Sequence, residues 1–290
     1  MFKKIVIFLQ MIKFEHTVFA LPFAFMGALL GSETINHELP SWEQIGWVLL
    51  AMFGARSAAM GLNRLIDRVS DAKNPRTANR AIPVGLLKIG EVVLFVIASF
   101  ALLFWAAAEL HPLALKLLPI AVIMLVLYSY TKRFTWLCHV VLGLTIALAP
   151  LGGWAAVTGQ VDWTAMVFFA TITFWIAGFD IIYACQDVEF DTKEGLYSIP
   201  VRFGVAKSLK IAQAFHIITA LGFIGLLLMT NLGWWYVAGM VIAYLILFYE
   251  HHIVSPGDLS RLQTAFFTMN GVLSIVVFSF TLIDLVVRHY

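Results

Sequence analysis

The 290-residue chain is 61% hydrophobic and only 12% charged, which leaves too little polar surface to coat a water-soluble globule. A net charge of +2 gives no support to a nucleic-acid partner. The expected fold class is all-α: a polytopic membrane protein in which residues 1–290 form one compact bundle within a lipid bilayer, spans of about 20 residues being what the hydrocarbon core demands.

The opening MFKKIVIFLQMIKFEH starts like a signal peptide, but Lys13, Glu15 and His16 interrupt its apolar run and no small-residue cleavage site follows. Ile5, Phe8, Leu9 and Ile12 share a helical face, so the stretch is read as an interfacial helix leading into the first span. Apolar runs follow near residues 14–31, 43–63, 90–110, 113–130, 136–158, 163–185, 209–229, 232–250 and 264–287, predicting nine transmembrane helices. Of the 19 Lys and Arg residues, sixteen fall on one side of this nine-span arrangement and two on the other, with Arg56 inside a span. The positive-inside rule then places the N-terminus and the even-numbered connections in the cytoplasm, as in a multi-pass protein of the inner membrane. Cys138 and Cys185 lie far apart with no metal-ligand spacing around them and are expected to be reduced.

The second connection is unusually polar. Asn63, Asp67 and Asp71 stand at i, i+4 and i+8, a spacing that stacks them on one face of a helix at roughly 6 Å intervals. Asp180, Asp187 and Asp191 form a second row, with Tyr183 beside them. Tyr183, Asp187 and Asp191 follow Asn63, Asp67 and Asp71 at a constant offset, and both sets precede a similar phrase, AIPVG and SIPVRFG. The chain thus reads as two pseudo-repeat halves. Carboxylates at such density repel unless cations sit between them, and oxygen ligands completed by water and phosphate suit Mg²⁺. Arg76, Arg80, Lys132, Arg133 and Lys193 lie around the rows, able to grip phosphate oxygens. Arg56 and Asp180 fall deeper, inside apolar runs where an ionised side chain is costly and usually functional.

NRLIDRVSD followed by NPRTANRAIPVG, with YTKRFTWLCHVVLG at 130–143 and FDIIYACQDVEFD at 179–191, resembles the UbiA superfamily of intramembrane aromatic prenyltransferases, and within it the 4-hydroxybenzoate polyprenyltransferase branch. The resemblance implies nine helices around a central cavity open to lipid. It implies one Mg²⁺ on Asn63, Asp67 and Asp71 and another on Asp187 and Asp191, diphosphate contacts from Arg76, Arg80, Lys132, Arg133 and Lys193, and an acceptor carboxylate on Arg56. The substrates implied are a polyprenyl diphosphate and a hydroxylated aromatic acid. Two departures stand out. Arg64 stands at the second position of the commonest first motif, where the family has an acid, and KFEHTVFALPFAFMGA resembles a UbiA-like group whose acceptor is 1,4-dihydroxy-6-naphthoate rather than 4-hydroxybenzoate. In the expected chemistry, diphosphate leaves the allylic carbon, an arene carbon ortho to oxygen attacks, and Asp180 or the released diphosphate takes the ring proton. A secondary transporter of an anionic metabolite is the rival expectation, since transporters also keep charges within their spans.

Overall fold

A computed structural model describes residues 2–12 and 17–289, so Lys13, Glu15 and His16 lie outside the described residues. The described part is helical, without named strands. A first helix, α1 (Phe2–Met11), precedes α2 (Thr17–Asn36) and α3 (Trp42–Ile66). A short α4 (Arg68–Lys73) continues the end of α3, and α5 (Ile89–Ala108), α6 (Pro112–Thr131), α7 (Cys138–Thr158) and α8 (Trp163–Ala184) follow. Two short helices, α9 (Val188–Lys193) and α10 (Ile199–Phe203), lead to α11 (Val205–Met229), α12 (Trp234–His252) and α13 (Asn270–His289), the last preceded by a wide π-helical turn at Thr264–Met269.

Seven segments are long and apolar enough to cross a membrane: Trp42–Ile66, Ile89–Ala108, Pro112–Thr131, Cys138–Thr158, Trp163–Lys193, Val205–Met229 and Thr264–Arg288. The protein is therefore an integral membrane protein. Against nine expected spans, the two remaining runs correspond to α2 and α12, which have spanning length but carry polar ends. Ser32, Glu33, Thr34 and Asn36 close α2, while Glu250, His251 and His252 close α12.

Helix termini are set locally. Ser41 and Gln44 form a reciprocal capping box at α3, and Asp162 accepts from the Ala165 N–H at the start of α8. No side chain of its own caps α12. Its Gly233, Trp235 and Tyr236 N–H groups instead donate to Asp284 of α13 at 2.8, 3.1 and 3.3 Å, which gives that buried carboxylate its partners.

The core joins α2, α7, α8, α11, α12 and α13 through Phe23, Trp154, Phe168, Trp175, Phe223 and Tyr236, all fully buried. Close packing of α2 on α7 depends on two glycines: a Cβ on Gly27 would collide with the Pro150 carbonyl, and one on Gly153 with the Ala24 carbonyl. At α1, Phe8 stacks on Phe95 at 4.8 Å and Ile12 is buried with Leu87 and Val92, whereas Leu9 is exposed and Met11 is buried in its place. The apolar face of α1 is thus turned slightly from the expected one and packs on protein.

Replacing Gly153 with valine forces a branched side chain into backbone. The expected outcome is a lower melting temperature in detergent, from a loss of at least about 1–3 kcal/mol. Gly152→Ala, whose added methyl meets nothing within 4 Å, serves as the control.

Candidate active site

Both acid rows end a long helix in the same way. In α3 the backbone bends at Asp67 (φ −91°, ψ 3°), which closes α3 and opens α4. After α8 a 3₁₀ turn runs over Cys185–Asp187, and Asp187 (φ −98°, ψ 0°) opens α9. The rows are therefore not single straight helices. The hydrogen bonds from Asp67 N to Asn63 O (2.9 Å) and from Asp71 N to Asp67 O (2.7 Å) nonetheless keep the four-residue stacking across the first bend. Each bend turns the second aspartate of its row inward, and Asp71 and Asp191 are both buried.

The rows meet at one end of a cavity of about 1080 Å³. Among the expected site residues, Asn63, Asp67, Asp71, Asp180, Asp187, Asp191, Arg56, Arg76, Arg80, Lys132, Arg133 and Tyr183 all line it. Lys193 does not: it pairs with Glu189 on the exposed side of α9 at 2.9 Å. Asp180 does not join the Asp187–Asp191 pair either. It sits two turns deeper, and its Oδ2 lies 2.6 Å from Nδ1 of His139, a fully buried residue at the start of α7.

Every aspartate at the mouth carries a base. Arg76 grips Asp187 with Nε (3.0 Å) and Nη2 (2.8 Å), while its Nη1 donates to the Tyr183 hydroxyl at 2.9 Å. Arg80 donates to Asp71 Oδ1 at 2.6 Å, Lys132 to Asp191 Oδ2 at 3.2 Å, and Arg133 to Asp67 Oδ1 at 3.2 Å. The connection after α4 delivers Arg76 and Arg80 because it is folded on itself. Thr77 donates to the Asp71 carbonyl and Asn74 accepts from the Arg76 N–H, so the first row's own loop carries the base that reaches the second row.

Burial, then repulsion from Asp71, pushes the Asp67 carboxyl above its ordinary value, and Arg133 only partly offsets this. Burial is the largest influence on Lys132 and Arg76 and opposes their charge, yet Asp191 with Asp187 and Asp180 in one case, and Asp187 with Tyr183 and Asp71 in the other, together hold each base above its usual range. The mouth is thus a set of ion pairs whose carboxylates are mostly buried while their bases reach partly into solvent, which moderates what each pair contributes to stability.

The donor set fits a hard divalent cation. Asp71 Oδ2 is buried without a hydrogen-bond partner, and carboxylate oxygens of both rows face one space. Among the described residues no three His, Cys, Asp or Glu side chains converge into a closed metal cage. Any cation held here therefore needs oxygens from water and from an anionic ligand to complete its shell. Arg64 explains part of the altered first motif: it is buried, and its Nη1 donates to Asn63 Oδ1 at 3.0 Å, while Asn63 Nδ2 donates to Asp67 at 2.8 Å. The amide oxygen expected to face a metal is engaged by a cation of the protein's own.

Sequence reasoning missed His139, although a histidine opening an apolar run just after Lys132 and Arg133 was a visible signal. It also assigned no role to Phe266 and Phe267, which line the cavity from the π-helical turn. Phe266 lies 4.1 Å from the Tyr183 ring and 5.4 Å from Phe179.

Known proteins match over the same regions. The chain is 28% identical over 240 residues to a 4-hydroxybenzoate octaprenyltransferase of Vibrio campbellii, covering 82% of this chain and 84% of the relative. Its fold superposes on a UbiA homologue from Aeropyrum pernix with a TM-score of 0.84 at 29% identity, over 93% of this chain and 98% of the other. A UbiA homologue from Archaeoglobus fulgidus, solved with GPP and Mg²⁺, shares the fold at a TM-score of 0.76 and 22% identity, over 97% and 99% of the two chains. Residues 20–272 match the UbiA prenyltransferase family, and with two acid rows facing each other across one apolar cavity, the chain belongs to that family of membrane-embedded prenyltransferases.

Proposed function

We propose that the protein transfers a polyprenyl group from a polyprenyl diphosphate to a ring carbon of a hydroxylated aromatic acid, such as 4-hydroxybenzoate or 1,4-dihydroxy-6-naphthoate, in quinone biosynthesis. The observation that carries this reading is the mouth of the cavity, where Asp67, Asp71, Asp187 and Asp191 are each paired with a base above an apolar chamber. A diphosphate with divalent cations replaces those pairs one for one: the carboxylates pass to the cations, and Arg76, Arg80, Lys132 and Arg133 pass to phosphate oxygens. Asp67 and Asp71 would hold one Mg²⁺ and Asp187 and Asp191 the other, with Asn63 orienting Asp67. Bound there, Mg²⁺ supplies charge neutralisation to the departing diphosphate. Lys193, turned away on α9, belongs to the rim rather than to the grip.

Below the mouth, Arg56 precedes Asn63 by seven residues and Asp180 precedes Asp187 by seven, so each sits about 10 Å deeper along its helix. Arg56 is positioned to hold the acceptor's carboxylate. The allylic C–O bond breaks with its electron pair leaving on diphosphate, and the arene forms the new C–C bond. The ring proton then passes to the Asp180 carboxylate, which His139 orients. The chamber's Phe, Leu, Ile and Ala lining excludes water from the carbon that carries the developing charge.

The whole chain 1–290 acts as one catalytic unit, consistent with a cavity lined by residues from Ile7 to Phe267. The basic connections, by the positive-inside rule, support a mouth and an N-terminus on the cytoplasmic side of the inner membrane. The carrier expectation gives way to the enzymatic one because the chain belongs to a transferase family.

Membranes containing the protein are expected to convert radiolabelled prenyl diphosphate and one of the two acceptors into a prenylated acid only when Mg²⁺ is present. Assaying both acceptors side by side identifies the preferred one. Asp67→Ala and Asp191→Ala should each lower turnover by at least about a thousandfold while insertion and melting behaviour persist. Near-normal rates in either variant at limiting Mg²⁺ would remove that residue from the metal site.

Chain length provides a separate test. Gly152 lines the cavity on α7 with nothing within 4 Å of the position its Cβ would take, about 21 Å along the helix from Cys138 near the mouth. Gly152→Phe should leave kcat/KM for dimethylallyl diphosphate within about twofold and lower it for octaprenyl diphosphate by about tenfold or more. Equal effects on both donors would place the tail elsewhere.

A further inference from the structure

A second polar system lies behind the cavity wall, in the core between α8, α11, α12 and α13. Glu250 and Asn270 are wholly buried, as are Trp175 and, nearly so, His216. Trp175 Nε1, which can only donate, gives its proton to Asn270 Oδ1 at 2.9 Å and so fixes which way the amide points. Asn270 Nδ2 then faces three acceptors: Glu250 Oε1 at 3.0 Å, the Ala265 carbonyl at 3.0 Å and the Phe266 carbonyl at 3.1 Å. Nearby, His216 Nε2 meets the Trp175 carbonyl and His216 Nδ1 meets His251 Nε2.

Two features here are costly. Glu250 has one oxygen without a hydrogen-bond partner, and its second polar neighbour, His216 Nδ1, is 3.9 Å away. The Thr264–Met269 segment is a π-helical turn, a rare geometry frequently found at functional sites. One side chain connects them: Asn270 takes up the Ala265 and Phe266 carbonyls of the turn and is itself held by Glu250 and Trp175. A buried, partly unpartnered carboxylate and a widened turn held by one amide both point to a role beyond filling the core.

The wide turn has one visible consequence. It brings Phe266 to Tyr183 and Phe179, making an aromatic wall on the side of the chamber below Asp187, and Phe267 lines the same cavity 5.6 Å from Phe266. Tyr183 in turn accepts from Arg76, whose remaining nitrogens hold Asp187. This wall stands where the proposed reaction releases its allylic carbon, and aromatic faces there both favour the developing positive charge and keep water away.

We propose that Glu250 and Asn270 are positioning residues that hold the π-helical turn so that Phe266 closes this wall, and thereby set whether arene or water captures the allylic carbon. The inference rests on the transferase reading above. When water captures instead, its oxygen forms the new C–O bond, its proton goes to solvent or diphosphate, and the product is a free prenyl alcohol.

The test measures the ratio of prenyl alcohol to prenylated acid formed by the full-length protein in lipid nanodiscs with geranylgeranyl diphosphate, Mg²⁺ and the preferred acceptor. Asn270→Ala and Glu250→Ala should raise that ratio by about tenfold while the donor KM stays within about twofold. Glu250→Gln, which keeps an oxygen for Asn270, should restore the wild-type ratio. Phe266→Ala, which leaves the buried network intact, should reproduce the rise even if the core variants fail to fold. An unchanged ratio in Phe266→Ala, or in a folded Asn270→Ala, overturns the proposal. If the wild type makes neither product, the transferase reading fails and takes this inference with it, a result distinct from a normal wild type with unaffected variants.

Discussion

Four carboxylates at the end of an apolar bundle repel one another, and that repulsion has to be balanced before the helices carrying them can pack. In the protein alone the balance comes from Arg76, Arg80, Lys132 and Arg133, drawn from two connections that would otherwise have no reason to lie over the bundle's end. Arg76 links the halves of the chain, since it belongs to the first row's loop and holds the second row's Asp187. Lys73 and Glu194 repeat that link at the exposed edge, and the Tyr197 N–H donates to the Lys132 carbonyl beneath it. The shape of the mouth therefore follows from charge pairing, with helix packing holding only the stems.

The same pairing accounts for how the site can exchange occupants. A closed hydrophobic lid would have to expose apolar area to admit a charged headgroup, whereas ion pairs can trade partners at nearly constant charge. Arg76 also donates to the Tyr183 hydroxyl, a contact outside the carboxylate pairs, and the Tyr183 ring packs on Phe266 of the aromatic wall. Deeper in, the polar groups become few and specific. Asp180 has a single buried imidazole partner, and Arg56 reaches the cavity from a stretch of α3 otherwise made of small and apolar side chains. Charge is dense at the mouth and sparse in the chamber below it, the distribution that the proposed diphosphate, arene and isoprenoid call for.

Much of this was legible in the sequence because spacing and depth are one-dimensional properties. The four-residue intervals of the aspartates, their recurrence in the second half and the basic residues following them all survive in the folded chain. What could not be read depends on backbone geometry that the residue order leaves open. Leu-Ile-Asp-Arg is compatible with an unbroken helix, yet α3 bends at Asp67, and α8 tightens into a 3₁₀ turn before Asp187. Lys193 looked equivalent to Lys132 by position along the chain, but it sits two residues past Asp191, on the outer face of α9, and finds Glu189 instead. The reason for α12's unusual start, an aspartate from α13 acting as its cap, is a tertiary fact.

His139, Glu250 and Asn270 show why isolated polar residues in apolar runs are hard to interpret singly. Each is surrounded in sequence by residues that belong to lipid or core, and only Asn270 has partners close by in the chain, the Ala265 and Phe266 carbonyls, which a regular helix would not offer it. The other partners come from other helices: Asp180 for His139, and Trp175 for the Glu250–Asn270 pair. In a bilayer, where water cannot satisfy them, such groups persist only if the fold supplies a partner or function compensates for its lack. The unpartnered oxygen of Glu250 and the unpartnered nitrogen of His139 show that the fold supplies only part of what is needed. Both lie behind groups facing the cavity, Phe266 in one case and Asp180 in the other, so the compensation falls on the same small region of the chamber just below Asp187.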